Sequence, residues 1–95
     1  MAVLFDTGWS GLKDECIEKY LRAIIWYGYG ITSIEFYGRT SPYGAGTLHE
    51  LHNITTQSEP VFSNCDDLFR EIRLKFHGTS GYVKGVKILY DSRRF

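Results

Sequence analysis

Residues 10–27, SGLKDECIEKYLRAIIWY, decide how the chain is first read. Leu12, Cys16, Tyr20, Ala23 and Tyr27 recur at helical spacing, and Ile17, Leu21 and Ile24 widen the row into an apolar stripe. Ser10 stands where an N-cap would. Asp14 and Glu15 lie in the first turns, where negative charge suits the helix dipole. Glu15 with Lys19, and Glu18 with Arg22, are favourable i,i+4 pairs. The pattern predicts an amphipathic helix that stops at Gly28–Gly30.

A second stretch reads the same way. Cys65, Leu68, Phe69, Ile72 and Phe76 follow helical spacing, with Asp66 and Asp67 early, Arg73 and Lys75 late, and Gly78–Gly81 as the stop. Strand-like segments surround the two helices. Ala2–Phe5 is apolar throughout, as a central strand would be. Ile31–Tyr37 alternates, with Thr32, Ile34 and Phe36 on one face and Ser33, Glu35 and Tyr37 on the other. Tyr82–Tyr90 puts Tyr82, Lys84, Val86, Ile88 and Tyr90 on one face. Thr47–Thr55 is ambiguous between strand and short helix, because Leu48, Leu51 and Ile54 recur every three residues and Thr47 with Glu50 fits a capping box. Taken as a strand, it completes the order βαββαβ. The expected fold is therefore α+β: a ferredoxin-like two-layer sandwich, with two helices on one face of a four-stranded antiparallel sheet. One domain is expected over residues 1–95, with a loose tail at 92–95.

The 95 residues are 43% apolar and 16% aromatic, enough for a packed core. A formal charge of zero removes the global signature of a nucleic-acid binder. Charge is nevertheless uneven. Residues 48–71 carry Glu50, Glu59, Asp66, Asp67 and Glu71 against Arg70 alone, whereas residues 72–95 carry six basic side chains against Asp91 alone. Cys16 and Cys65 are too few for an iron–sulfur cluster or an all-cysteine zinc site, and are expected to be reduced core residues. The N-terminus lacks the basic and apolar regions of a signal peptide, and no run is long enough to span a membrane as a helix, so the expected location is the cytoplasm.

Signatures of chemistry are sparse. His49-Glu50-Leu51-His52 has the wrong spacing for the zinc-protease motif, and on a regular strand His49 and His52 would point to opposite faces. Together with His77 they are expected to be polar surface residues, with no metal or other cofactor bound. No phosphate loop, dinucleotide fingerprint or nucleophile elbow occurs, and enzymatic activity is not expected.

What remains is a recognition surface. Trp26, Tyr27, Tyr29, Phe36, Tyr37 and Tyr43 cluster among glycines with Arg39 alongside, and tyrosine and arginine offer large contact area at modest entropic cost. Tyr29, Tyr37, Arg39 and Tyr43 are the expected partner-binding residues. The expected function is a non-enzymatic adaptor or inhibitor of a larger intracellular protein or complex, of the kind phages and mobile elements encode. The alternative is an RNA- or single-stranded nucleic-acid-binding module using the sheet face, with Lys84, Lys87, Arg93 and Arg94 along the backbone. RNA-recognition domains share the expected topology, but the third strand would carry Leu48, His49, Glu50, Leu51 and His52 instead of their aromatic motif. An edge-strand homodimer through the last strand or Ile31–Tyr37 is compatible with the same pattern.

Overall fold

The computed structural model describes residues 2–12, 17–41, 43–56 and 59–92. Among these residues there is no helix. The chain forms β1 (Ala2–Asp6), β2 (Lys19–Arg39), β3 (Thr47–Asn53), β4 (Val61–Phe62) and β5 (Glu71–Ser92), all in one antiparallel sheet of order β1-β5-β2-β3, with β4 also paired to β2. The ferredoxin-like α+β sandwich is thereby overturned. Both segments expected to be helical contribute instead to the two longest strands. Ala2–Asp6 is a strand but sits at the sheet edge, not its centre, and Thr47–Asn53 takes the strand alternative. Cys16, Arg93 and Arg94 lie outside the described residues.

Part of the apolar spacing that suggests the first helix comes from a bulge in a strand. In the β2–β5 register Leu21 pairs with Tyr90 and Ala23 with Leu89, so Arg22 is an extra residue. An extra residue shifts the alternation by one. Leu21 and Ile24 both end up fully buried, three apart, and mimic a helical step. Thr32 is a second extra residue, between the pairs Ile31–Gly78 and Ser33–His77, and again leaves Ile31 and Ile34 buried three apart.

β2 and β5 run alongside each other over almost their whole length, from Lys19–Ser92 to Arg39–Glu71. A straight strand of 21 residues would extend about 70 Å, yet the longest dimension of the molecule is 42 Å. The ribbon therefore bends sharply on itself. The bend lies where Gly30 meets Gly78 and Gly81, with Gly28 packed against Tyr82 and Val83 beside it. Gly30 has φ of +76°, and a Cβ on Gly81 would overlap the Tyr29 carbonyl oxygen, so the two backbones approach as only glycine permits. Across the bend the inner faces of the two halves pack together. Leu21, Ile24 and Trp26 from one half join Ile31, Ile34, Phe36, Ile72, Leu74 and Phe76 from the other, with Trp26 and Phe76 ring centroids 6.2 Å apart. Phe69 closes the core edge-on to Phe36 at 5.2 Å.

Lys19 is a buried charge at this seam. It is 1% exposed, its Nζ donates to the carbonyls of Ile17 and Arg70 at 2.7 and 2.8 Å, and its backbone pairs with Phe69. Main-chain dipoles thus replace part of the hydration an ammonium loses on burial. No helix among the described residues is long and apolar enough to cross a membrane.

Candidate functional site

The outer face of the ribbon has two characters, separated by the glycine bend. On the half that holds Ile31–Arg39 and Glu71–His77, polar side chains stand in register: Ser33 opposite His77, Glu35 opposite Lys75, Tyr37 opposite Arg73 and Arg39 opposite Glu71. Nearly all are engaged. The Tyr37 hydroxyl donates to Glu35 at 2.6 Å, Glu35 also meets His77 Nε2, and Lys75 lies 5.2 Å from the centre of the Tyr37 ring. Arg39 pairs with Glu71 at 2.9 Å, donates to the Gly44 carbonyl and stacks on Trp9 at 4.3 Å. Arg73 grips both carboxylate oxygens of Asp6 from β1. This bidentate pairing, with the Gly8 amide assisting, holds the Asp6 carboxyl down to about 2. The hydroxyl of Tyr37, joined by His77, likewise lowers the Glu35 carboxyl. The layer is an internally satisfied ladder of charge, which ties β1, β5 and β2 together.

Beyond the bend the outer face changes. Tyr29 pairs directly with Tyr82, and the Tyr27 ring lies over Gly85, its register partner. Their exposures are 63%, 51% and 60% for Tyr29, Tyr82 and Tyr27. Among the described residues, no hydrogen bond, ion pair or ring contact engages these three side chains. Lys84 is the extra residue of a bulge, because Tyr27 pairs with Gly85 and Gly28 with Val83. It therefore stays outside with Tyr82, while Val83, Val86 and Ile88 turn toward the core. The expectation that Lys84, Val86 and Ile88 share one face is corrected by that bulge. Lys87, opposite Ile25, is exposed on the same outer side. The apolar strip continues to Phe62 and Leu89, which flank Ala23 from β4 and β5 and are 70% and 39% exposed. Arg22 and Asp91 close the far end with a 2.7 Å ion pair.

The residues picked out from sequence are thus divided. Tyr29, Lys84 and Lys87 come together on the second face. Tyr37 and Arg39 lie across the bend inside the charge ladder, and Tyr43 projects, 96% exposed, from the connection between β2 and β3. Tyr27, Tyr82, Phe62 and Leu89 were not singled out for binding. Their convergence depends on the pairing of distant strands, and only the clustering of tyrosines beside glycine could have signalled it.

An exposed aromatic surface edged by two ammonium groups can bury ring faces against a partner and orient it by charge. No family model, curated protein or solved structure matches this chain.

Proposed function

We propose that the protein is a binding module, an adaptor or inhibitor that docks a larger protein through the outer face formed by Tyr27, Tyr29, Tyr82, Lys84 and Lys87. The observation that carries this reading is the unpartnered Tyr29–Tyr82 pair on a doubly bonded ribbon. A sheet that has already filled its inner face normally presents polar residues outward, and a contiguous aromatic strip instead is the mark of an interaction surface. The lysines beside it, with Arg22 and Asp91 neutralising each other, favour an acidic patch on the partner. Blocking such a partner is steric: the ribbon occupies the patch and needs no chemistry of its own. The cytoplasm is the compartment this reading favours, and the free thiol of Cys65 is in keeping with it.

Single-stranded nucleic acid is the second reading, supported by the same juxtaposition of three stacking rings with Lys84 and Lys87. One experiment separates the two. Tagged protein is used to capture partners from lysate with and without nuclease, in parallel with the Tyr29→Ala/Tyr82→Ala variant. A stoichiometric protein that survives nuclease and is lost with the variant supports the proposal. Capture that nuclease abolishes transfers the surface to nucleic acid, and capture indifferent to the variant removes this face from consideration.

A further inference from the structure

A second constellation lies away from the tyrosine face, where β3 meets the chain that leads from β4 into β5. In the β2–β3 register Phe36 pairs with Glu50 and Tyr37 with Leu48, so His49 is an extra residue. The bulge turns His49, Glu50 and His52 all inward, each with no more than about a fifth of its side chain exposed, while Leu48 and Leu51 face solvent. That corrects the expectation that the two histidines point oppositely. They still do not converge with His77, which is held by Glu35 on the outer face.

What meets His49 is Cys65 and Asp67. His49 Nδ1 lies 3.5 Å from Asp67 Oδ2, Cys65 Sγ lies 3.7 Å from the same oxygen, and the donor atoms of all three are within 4.8 Å of one another. From these positions we infer that His49, Cys65 and Asp67 bind one divalent cation of the zinc class. Zinc sits about 2.3 Å from sulfur and about 2.0–2.2 Å from nitrogen or oxygen, so a tetrahedral site has donor–donor edges of roughly 3.3–3.7 Å. Two edges of the triad already have that length. Closing the third needs a movement of about 1 Å, which one side-chain rotation supplies.

The donor set selects the metal. One thiolate, one imidazole and one carboxylate suit borderline cations such as zinc or cobalt, whereas calcium and magnesium demand oxygen. The scaffold holds two of the three donors, His49 and Cys65, from behind. The His49 ring packs against Phe69 at 4.5 Å and Phe36 at 5.8 Å, which fixes its plane. Glu50 accepts hydrogen bonds from the Ser63 hydroxyl and the Asn64 amide, and Ser63 Oγ in turn accepts one from the Cys65 amide, so the turn bearing the thiol is pinned to β3. Such supporting bonds are the usual second layer of a metal site. Asp67 is largely exposed and provides the way in. With three protein donors the fourth position is open, to water or to a donor from a bound partner.

The test uses the full reduced chain and cobalt(II) as the probe. Binding of one equivalent should produce the intense thiolate-to-cobalt absorption and the visible bands of a tetrahedral site, and zinc should displace it and raise the melting temperature; calcium and magnesium should do neither. Cys65→Ser should abolish the thiolate band, Asp67→Asn should weaken binding at least tenfold, and Cys16→Ser should leave both unchanged. Circular dichroism of the metal-free variants checks that each is folded. Absence of the thiolate band in the wild type, or a band that persists in Cys65→Ser, overturns the assignment.

Discussion

Tyr29 and Tyr82 stand opposite each other in the central ladder, with more than half of each side chain open to solvent. Replacing both with alanine removes a cross-strand pair worth at most about 1 kcal/mol to the fold. The melting temperature should fall by only a few degrees. If the two rings anchor a partner, each truncation costs about 2 kcal/mol of binding, and the affinity of the purified complex should drop at least 100-fold, read by calorimetry. Undiminished affinity would show that the strip is not the working surface.

Arg39 behaves differently. Its ion pair with Glu71 leaves both side chains only about 15% exposed, and it also serves the Gly44 carbonyl and the Trp9 ring. Arg39→Ala strands a carboxylate in that setting and should cost about 2–3 kcal/mol in urea denaturation, with little effect on partner affinity. A change in affinity without a change in stability would place Arg39 at the interface instead.

Acid should weaken the fold through Asp6. Its carboxyl titrates at about 2 in the folded chain against an ordinary 3.8, so the stabilisation is complete above the higher value and is lost as pH falls through the lower. Glu35 is shifted in the same direction. The Asp6–Arg73 side chains are about 30% exposed, so after solvent screening the pair contributes about 1 kcal/mol. The stability gap between wild type and Asp6→Asn should be open at pH 6 and should shrink toward zero by about pH 2. A gap independent of pH would refute the role given to the pair.

At the bend, Gly81→Ala places a methyl group against the Tyr29 carbonyl oxygen. Backbone cannot yield there as a flexible side chain would. A loss of about 3 kcal/mol or more is expected in chemical denaturation. Gly44→Ala, whose nearest neighbours are at ordinary contact distance, is the control and should be almost neutral.

How much of this was legible in the sequence depends on where the strands are regular. Residues 71–77 alternate strictly, with Ile72, Leu74 and Phe76 buried between Glu71, Arg73, Lys75 and His77. That signal was present, and the helical reading passed over it by joining Ile72 to Phe76 and omitting Leu74. Residues 19–27 gave no such warning, because the bulge at Arg22 writes a helix-like interval into a strand. Glycines taken as helix stops instead mark a bend within continuous strands. Tyr29, Lys84 and Lys87 were recognised individually; their assembly with Tyr82, and that of His49 with Cys65 and Asp67, is set by register between segments far apart in the chain.

The ribbon has no tight turn at either end: β2 and β5 first meet at Arg39 and Glu71, across the whole excursion that carries β3 and β4, and their pairing ends at Lys19 and Ser92. Of the native pairings, the β2–β3 hairpin, closed by residues 39–46, can form early at low entropic cost, whereas the β2–β5 ladder cannot. The search for the folded state must close a long loop before the β2–β5 ladder rewards it, and refolding should take milliseconds to seconds, at the slow end for a chain of this size. During that interval β2 and β5 are long and unpaired and leave their core residues exposed, so newly made chains are most vulnerable to aggregation before the two strands have found each other.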